Sequence, residues 1–564
     1  MSTASTSSPR NPRSPRILIV GGVAGGASAA TRARRMNEHA EIVIFEKDRH
    51  ISFANCGLPY HVGGEIPDRE KLLVAKPATF ENRYNIRVHT RHEVTAIDRG
   101  AKTLTVLDRD AGVSRDERYD KLILAPGASP LVPPIAGKDA SNVYTMRNVE
   151  DTDRIKAHID QHTPQHAVVI GAGFIGLEVV EQLIHRGVPT TLVELADQVL
   201  PLMDREMVTP IHEVLRNKGV ALHLADGVKA IHTNDANQAT AVELNSGTTI
   251  PADFVLLGIG VRPNTQLAEA AGLELGETRG VKVNAFSQTS DPDIYCVGDA
   301  CEYPYAPTGK AMRVPLAGPA NRAGRLAGEH AATGRSAPMQ PVMGAAIVRV
   351  FNLAAGVTGL SMKAAKRAGV NATAVTIIAN HHVGYYPGAK PITLKLIYNR
   401  DTGKILGAQA LGEEGVDKRI DVISTAMHFA GDVRQLAGVD LTYAPPFGAA
   451  KDPVHMAAFV ACNHLDGLFD DALQPDADLS DFQVVDVRTQ KEVDAKPIPA
   501  ADAIHIEIEK LRDNLDKLDK SRPTVAICAS GLRSYIGTRI LKQHGFEKVY
   551  ELTGGQTVRQ RAFE

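Results

Sequence analysis

The chain has little cysteine, no long apolar segment and almost no net charge. Five cysteines in 564 residues are too few for a disulfide scaffold and suit a reducing cytoplasm. No run of about 18 apolar residues occurs, so we expect no membrane-spanning helix. A net charge of −2 gives the whole chain no attraction to nucleic acid. We therefore expect a cytoplasmic protein without a membrane or nucleic-acid partner, and nothing in the sequence predicts a metal site.

Residues 1–15 contain many serines and prolines and no acidic residue. This composition is typical of a disordered tail. A transit peptide is the alternative, but Pro9, Pro12 and Pro15 would break an amphipathic helix, and an apolar core for a secretory signal is missing.

Residues 17–26 join a short apolar segment to a glycine-rich turn. A strand that turns directly into a helix points backbone N–H groups outward, and glycines allow a pyrophosphate to approach them. Val23 departs from the fingerprint, which has glycine at that middle position. The expected cofactor contacts are Gly21, Val23, Ala24, Gly25, Gly26 and the later acid Glu46.

Residues 167–176 repeat this design and match the full fingerprint, with Gly171, Gly173 and Gly176 at the required spacing. Glu194 ends the next apolar segment, where a carboxylate binds the two ribose hydroxyls. Because this carboxylate would repel a 2′-phosphate, NADH is favoured and NADPH is the alternative. Two dinucleotide sites in one chain predict electron transfer between two cofactors.

Two later segments indicate which copy binds a flavin. Residues 291–300 predict a strand that ends at Gly298 and Asp299, and residues 119–127 predict another that ends at Gly127. Together with the two fingerprints, they resemble the pyridine nucleotide-disulfide reductases over residues 16 to about 460. The resemblance implies FAD at the first fingerprint, NAD(P)H at the second, and Asp299, Gly127 and Ala317 near the flavin.

Cys56 lies between the two fingerprints and lacks the second cysteine that many members of that family carry five positions later, where this chain has His61. A lone redox cysteine cycles through a mixed disulfide, a persulfide or a sulfenic acid. It must react as a thiolate, which a helix N-terminus or a nearby positive charge favours. The alternative is a structural cysteine.

Residues 52–60 resemble the active-site segment of coenzyme A disulfide reductases, which implies that Cys56 is the redox cysteine. Tyr84 stands where those enzymes can carry a lysine for the ligand. Arginines suit a ligand with phosphates, although those at positions 32 and 35 can equally form a solvated helix face. The implied coenzyme A contacts are Ser52, Phe53, Asn55, Arg32 and Arg35. Whether coenzyme A is a bound cofactor or a substrate stays open.

Residues 384–388 and 441–447 resemble the two tyrosine segments of the same family. The resemblance implies a homodimer in which Tyr386 and Tyr443 reach the cysteine of the partner subunit. A phenol beside a sulfur anion can donate a hydrogen bond or a proton. The alternative role for both tyrosines is interface packing.

Residues 476–564 predict a small parallel sheet, because apolar segments alternate with helical ones. Residues 528–533 resemble the active loop of a rhodanese, with Cys528 first and Arg533 last. Successive N–H groups in such a loop bind anions and lower a thiol pKa. Residues 496–501 depart from the family pattern, which predicts altered loop packing. The alternative is an inactive module used for binding.

The predicted fold class is α/β, with two Rossmann-like FAD and NAD(P) domains, an α+β dimerisation domain and a C-terminal α/β rhodanese domain. The length suits about four domains. The predicted boundaries are a tail at 1–15, the FAD domain at 16–150 and 276–335, the NADH domain at 151–275, the dimerisation domain at 336–465, a linker at 466–475 and the rhodanese domain at 476–564.

The sequence therefore predicts an FAD-dependent, NADH-linked reductase of coenzyme A persulfide, polysulfide or coenzyme A disulfide. A fused rhodanese site at Cys528 favours persulfides. Two alternatives stay open. One is an NADH oxidase or peroxidase that uses a cysteine sulfenic acid at Cys56, and the other is a persulfide relay or binding protein.

Overall fold

The computed structural model describes residues 14–498 and 503–564. Most of the predicted N-terminal tail, residues 1–13, lies outside this part of the chain, as do residues 499–501 of the segment that departs from the rhodanese pattern. In the described ranges, no helix has both the length and the apolar character needed to cross a membrane.

The first α/β unit is a parallel sheet with the strand order β18-β7-β1-β2-β3. Because β2 and β7 flank β1 and all run parallel to it, their carboxyl ends meet at one edge, where the chain order reverses. Ligands bind at this edge in open α/β sheets. Its elements are β1 (Arg16–Val20), α1 (Ala24–Met36), β2 (Glu41–Glu46), α2 (Leu58–Gly63), α3 (Pro77–Tyr84), β3 (Arg87–Thr90), β4 (His92–Asp98), β5 (Thr103–Asp108), β6 (Val113–Arg118), β7 (Lys121–Leu124) and β8 (Ala128–Pro130).

The second α/β unit repeats this plan, with the parallel order β12-β11-β10-β16-β9. The antiparallel pair of β17 with β8 connects it to the first unit. Its elements are β9 (Val143–Tyr144), α4 (Val149–His162), β10 (Ala167–Ile170), α5 (Phe174–His185), β11 (Thr190–Val193), α6 (Arg205–Asn217), β12 (Ala221–His223), β13 (Val228–Thr233), β14 (Ala239–Leu244), β15 (Thr249–Pro251), β16 (Phe254–Leu257), β17 (Val261–Pro263) and α7 (Gln266–Ala270).

The chain then returns to the first sheet, where β18 pairs with β7. Helix α8 packs closely on α1 because small residues face each other there: a Cβ at Gly324 would lie 2.2 Å from the Gly25 carbonyl oxygen. The elements of this return are β18 (Ile294–Cys296), β19 (Tyr303–Pro304), β20 (Ala311–Met312) and α8 (Ala317–Thr333).

An antiparallel sheet of order β21-β22-β25-β24-β23 follows, with helices on one side that cover a core of apolar residues. The mixed α+β pattern agrees with the predicted fold. Its elements are β21 (Ala346–Val350), β22 (Leu353–Gly359), α9 (Met362–Arg367), β23 (Ala372–Asn380), β24 (Pro391–Asn399), β25 (Ile405–Gly412), α10 (Val416–His428), α11 (Val433–Ala437) and α12 (Pro453–Leu465).

The C-terminal module is a parallel sheet of order β26-β30-β29-β27-β28. Arg561 anchors it, because its guanidinium donates to Thr393 in β24 at 3.0 Å and its carbonyl accepts from Thr209 in α6 at 2.7 Å. Its elements are β26 (Ala472–Leu473), β27 (Gln483–Asp486), α13 (Gln490–Ala495), β28 (Ile504–His505), β29 (Thr524–Ile527), α14 (Leu532–Gln543), β30 (Val549–Leu552) and α15 (Gly555–Phe563).

Candidate active site

A cavity of about 1710 Å³ is lined by both glycine turns and by Cys56. The two predicted dinucleotide sites and the candidate redox thiol therefore share one continuous space. The predicted site residues that line it are Gly21, Val23, Ala24, Gly25, Glu46, Phe53, Asn55, Gly127, Gly171, Gly173, Glu194, Asp299 and Ala317.

The first glycine turn connects β1 to α1. Gly21 has a φ of +89°, and a Cβ there would lie 2.2 Å from the Ala125 carbonyl oxygen, so only glycine fits between the two strand ends. A Cβ on Gly26 would lie 1.9 Å from the Gly21 carbonyl oxygen, so this glycine allows close packing of helix on strand. The Glu46 carboxylate accepts from the Gly22 amide at 2.8 Å, and burial raises its pKa.

The second glycine turn connects β10 to α5 and has an opening for a ligand. Gly171 has a φ of +100°, whereas a Cβ on Gly173 would meet nothing within 4 Å. The backbone at Gly173 thus faces free space, as the approach of a pyrophosphate requires. The Glu194 carboxylate accepts from the Ala172 amide at 2.7 Å and the Ala196 amide at 2.9 Å. These features fit a bound dinucleotide.

Asp299 lies in a 3₁₀ turn, Gly298–Ala300, directly after β18. The buried Tyr303 hydroxyl accepts a hydrogen bond from the Gly298 amide at 2.7 Å, which stabilises the turn. Burial raises the pKa of the Asp299 carboxyl, and Arg147 partly opposes this shift. An acid held at the cavity in this way suits hydrogen bonds to the hydroxyls of a flavin side chain.

Arg147 is a cavity residue that sequence reasoning missed. Its Nε donates to the Ala128 carbonyl at 2.6 Å, and its Nη2 lies 4.0 Å from Asp299 Oδ2. Its Nη1 donates at 2.8 Å to Asn55, in the amide orientation that satisfies both ends of that group. Arg147 therefore connects Asp299 with Asn55, the neighbour of Cys56. It stands just before α4, outside any recognisable motif.

Cys56 occupies a 3₁₀ turn, Asn55–Gly57, that leads directly into α2, and its side chain is exposed to the cavity. Burial, then Glu178 and Asp299, raise the pKa of its thiol. These two carboxylates thus oppose the thiolate, whereas the place of Cys56 just before α2 corresponds to the helix N-terminus named in the expectation.

Glu178 on α5 is a second cavity residue that the sequence did not reveal. The Tyr60 hydroxyl donates to its Oε1 at 3.1 Å. Burial raises the pKa of Glu178, and burial together with Glu178 raises that of Tyr60. The second unit therefore places an acid with an elevated pKa near the Cys56 thiol.

The predicted coenzyme A contacts divide into two groups. Phe53 and Asn55 line the cavity with Cys56, and Ser52, with a φ of +53°, forms the bend before them. Arg32 and Arg35 do not line it. Arg32 forms an ion pair with Glu329 at 2.5 Å, and Arg35 is exposed. Their role as ligand contacts stays a prediction.

The two predicted tyrosines lie on the antiparallel domain, outside the lining of this cavity. The Tyr443 hydroxyl is 2.9 Å from that of Tyr385, whereas Tyr386 contacts the ring of His382. Tyr385 is 75% exposed and Tyr443 is 46% exposed. The sequence therefore missed Tyr385, which forms the hydrogen-bonded pair with Tyr443.

The loop at residues 528–533 joins β29 to α14 in the C-terminal module. The Gly531 amide donates to Cys528 Sγ at 3.1 Å, as expected for an anion-binding loop. Glycine at 555 is needed behind it, because a Cβ there would lie 2.6 Å from the Cys528 carbonyl oxygen. Arg533 forms a bidentate ion pair with Glu492 at 2.6 and 2.7 Å, which lowers the pKa of Glu492 to about 2.

One cluster of possible metal ligands occurs among the described residues: atoms of Glu65, Glu181 and His185 lie within 4.8 Å of one another. Arg349 already pairs with Glu65 at 2.5 Å and with Glu181 at 2.6 Å. The guanidinium takes the place that a cation would need, so we assign no metal to this cluster.

Two Rossmann-like units around a cavity that Cys56 lines are the arrangement of a two-dinucleotide oxidoreductase. The chain belongs to the pyridine nucleotide-disulphide oxidoreductase family, whose model matches residues 15–324. The dimerisation domain of that family matches residues 345–453, and a rhodanese-like domain matches residues 470–558. The predicted family and fold class are thereby confirmed.

Known proteins resemble nearly the whole chain. Coenzyme A disulfide reductase of Staphylococcus aureus (strain JH9) is 37% identical over 428 residues, which are 76% of this chain and 95% of that protein. The structure of reduced Bacillus anthracis CoADR-RHD has a TM-score of 0.94 and 42% identity and covers 98% of both chains. The NAD-dependent persulfide reductase from A. fulgidus has a TM-score of 0.89 and 38% identity, covering 96% of this chain and 99% of that one.

Proposed function

We propose that this protein is an FAD-dependent, NADH-linked reductase of coenzyme A persulfide, polysulfide or coenzyme A disulfide. The observation that carries this function is the cavity that both glycine turns and Cys56 line. It allows electrons to pass from one dinucleotide site through the other to a sulfur atom. The likeness to a coenzyme A disulfide reductase and a persulfide reductase supports the substrate class.

The cofactors are FAD and a nicotinamide dinucleotide. FAD bound at the first turn would supply the two-electron redox chemistry between NADH and sulfur. The first turn, with Gly21 and Glu46, would hold the FAD pyrophosphate and ribose, and Asp299 its hydroxyl-bearing side chain. The second turn, with Gly173 and Glu194, would hold NADH. The free space at Gly173 supports this assignment.

Cys56 is the nucleophile in this proposal. Its thiolate attacks the inner sulfur of coenzyme A persulfide, the S–S bond breaks, and hydrosulfide leaves with the bond's electron pair. The resulting mixed disulfide takes up two electrons, which regenerates the Cys56 thiolate and frees coenzyme A. Phe53 and Asn55 line the approach to this sulfur.

We further propose a homodimer with a shared active site. The exposed hydroxyls of Tyr385 and Tyr443 would face the Cys56 region of the partner subunit and donate to the leaving sulfur. The match to the dimerisation domain supports this assembly. A reducing cytoplasm, which keeps thiols free, is the compartment that suits this chemistry.

The C-terminal module would supply sulfur to this site. Cys528 accepts a sulfane sulfur, held by the Gly531 amide, and hands it to a thiol that the reductase then uses. We keep the predicted division into domains, with the rhodanese module beginning near residue 476 after a short linker.

Anaerobic oxidation of NADH by the purified FAD-loaded protein tests this function. Coenzyme A persulfide, polysulfide, coenzyme A disulfide and peroxide are compared side by side. Fast turnover of the persulfide or polysulfide with release of sulfide is the expected result. Turnover of peroxide alone would indicate the sulfenic-acid alternative, and negligible turnover of NADH with intact sulfur transfer would indicate a relay protein.

Cys56→Ser is expected to abolish the NADH-linked reduction. Cys462→Ser is the matched control, because Cys462 lies on α12 of the dimerisation domain, away from the cavity lining. Persulfide reduction that survives in Cys56→Ser would refute the mechanism.

A further inference from the structure

A carboxyl group is buried behind the Cys528 loop. Glu551 lies on β30 and is 3% exposed. Its Oε2 lies 3.2 Å from Thr538 Oγ1, and its Oε1 lies 3.4 Å from Ser534 Oγ. Among residues 14–498 and 503–564, its hydrogen-bond partners are hydroxyls and no cation forms an ion pair with it.

Ser534 connects this carboxyl group to the reactive sulfur. It is fully buried in the first turns of α14, and its Oγ lies 3.6 Å from Cys528 Sγ. The same hydroxyl donates to the Gly531 carbonyl at 2.7 Å, while the Gly531 amide donates to Cys528 Sγ at 3.1 Å. A continuous chain of polar groups thus runs from Glu551 through Ser534 to Cys528.

The surroundings favour the neutral form of Glu551. Burial raises the pKa of its carboxyl most, and negative charge on Cys528 adds to this effect. A neutral carboxyl is a hydrogen-bond donor, so it can donate to the Ser534 oxygen. An ionised carboxyl in this place would instead repel a sulfur anion.

The titratable groups near Glu551 come from three packed elements. Cys528 follows β29, and Tyr535 lies on α14 with its pKa raised by burial and by Glu551. On the β26 side, the Asp471 carbonyl accepts from the Glu551 amide at 3.1 Å, but its carboxylate pairs with Arg400. Arg533 on α14 is paired with Glu492. Cys528 is therefore the reactive group that the chain of polar contacts connects to Glu551.

We propose that Glu551 is a positioning residue for sulfur transfer at Cys528. Its protonated carboxyl donates to Ser534 Oγ, which turns the Ser534 hydroxyl toward the sulfur anion of Cys528. This inference deepens the proposed function of the C-terminal module and rests on it.

The transfer step balances without any oxidant. The Cys528 thiolate attacks the outer sulfur of a persulfide R–S–SH, and the S–S bond of the donor breaks. The electron pair leaves with R–S⁻, which takes up the proton of the transferred sulfur and becomes R–SH. Cys528–S–S⁻ remains, held by the Gly531 amide and the Ser534 hydroxyl, while Glu551 keeps its own proton throughout.

The test uses the full-length, FAD-loaded protein and two readouts. The first is the rate at which iodoacetamide alkylates Cys528 between about pH 6 and pH 10, followed by peptide mass. The second is sulfur transfer from coenzyme A persulfide to Cys528. The variants are Glu551→Gln, Glu551→Leu and Ser534→Ala, and the matched control is Glu547→Gln on the exposed surface of the same module.

Glu551→Gln keeps a donor and cannot ionise. We expect alkylation near the wild-type rate at pH 7, because the amide of the variant replaces the carboxyl as the donor to Ser534 Oγ. Glu551→Leu and Ser534→Ala remove the donor chain, so we expect the pH 7 rate to fall about tenfold or more, the effect of one hydrogen bond to an anion. Glu547→Gln is expected to match wild type at every pH.

Ser534→Ala or Glu551→Leu at the wild-type rate would overturn the proposal, as would Glu551→Gln that is as slow as Glu551→Leu. NADH-linked reduction of coenzyme A disulfide reports that each variant is folded. Alkylation of Cys528 does not require sulfur transfer, so the two readouts are independent. If the wild-type protein is alkylated as expected but takes up no sulfur, the proposed role of the module is refuted. The proposed effect of Glu551 on Cys528 is not refuted by that result.

Discussion

The hydroxyl groups of Tyr385 and Tyr443 lie 2.9 Å apart on the surface of the dimerisation domain. Tyr385 precedes β24 and Tyr443 follows α11, so only the fold brings them together. Either phenol can donate to the other. The hydroxyl that accepts this hydrogen bond keeps its own hydrogen, which can then point toward solvent or another subunit. The arrangement suits a donor pair directed at a second subunit and places Tyr385, rather than Tyr386, beside Tyr443.

Tyr385→Phe is expected to reduce NADH-linked persulfide reduction about tenfold or more, because the leaving sulfur loses a proton donor. Tyr443→Phe should have an effect of similar size, and the double variant should lose little more than either single one, since the two act as a unit. Steady-state kcat on FAD-loaded protein measures this. A larger loss in Tyr386→Phe would instead support the residue that the sequence indicated.

Glu178→Gln is expected to lower the pKa of the Cys56 thiol. Burial raises that pKa first, and the Glu178 carboxylate raises it further, so removal of this charge favours the thiolate. The midpoint of Cys56 alkylation by iodoacetamide should therefore move to lower pH. Glu81→Gln on exposed α3 is the matched control, and an unchanged midpoint in Glu178→Gln would contradict the assigned interaction.

Gly173→Val is expected to weaken NADH binding without harming the fold. A Cβ at this position meets no protein atom within 4 Å, and the side chain would enter the space beside the second glycine turn that a pyrophosphate would occupy. The KM for NADH should rise about tenfold or more while the FAD content stays unchanged. Gly438→Ala, whose Cβ would make only ordinary contacts, should leave both values at the wild-type level.

Lys395→Met is expected to destabilise the protein by about 3–5 kcal/mol, as loss of one partner does in buried ion pairs. Lys395 is 2% exposed and pairs with Asp204 at 2.8 Å and Glu206 at 2.5 Å. The variant would leave both carboxylates unpaired. Calorimetric unfolding of the FAD-loaded protein measures the loss, and Lys366→Met, on the exposed surface of α9, should change Tm little.

The same cluster predicts a pH dependence of stability. Burial opposes ionisation of Asp204, but Lys395 and two backbone amides hold its pKa below the usual value. A depressed pKa contributes stability above the unfolded value of about 3.9, and this contribution is lost as the pH falls through the folded pKa. Tm should therefore decline below about pH 4, and this decline should be smaller in Lys395→Met.

Much of the site could be predicted because its signals are contiguous. Gly26 and Gly176 are required by contacts with the carbonyl of the first glycine of their own turn, and Gly21 and Gly171 have a positive φ. The loop that begins at Cys528 is equally local, since one short segment both turns the chain and presents its amide groups. Motifs of this kind can be recognised in one sequence, because the residues that bind the ligand and the residues that turn the chain lie in the same short segment.

The residues that were missed act across long distances in sequence. Arg147 reaches Asn55 and Asp299, and Glu178 reaches Tyr60, although neither belongs to a motif. Arg32, which the resemblance placed near the ligand, is paired with Glu329 on a helix from the second half of the first unit. Side-chain direction and partner choice depend on packing, which one sequence does not display.

The sequence by itself determined the family and the two glycine turns, and it indicated the two candidate reactive cysteines, because each signal depends on local backbone geometry and residue type. The tertiary structure alone decided the electrostatics of those cysteines. It placed Glu178 and Asp299 beside Cys56, which raises the thiol pKa, and the buried Glu551 behind Cys528. The physical reason is that a pKa depends on burial and on charges within a few ångströms, and distant parts of the chain supply both.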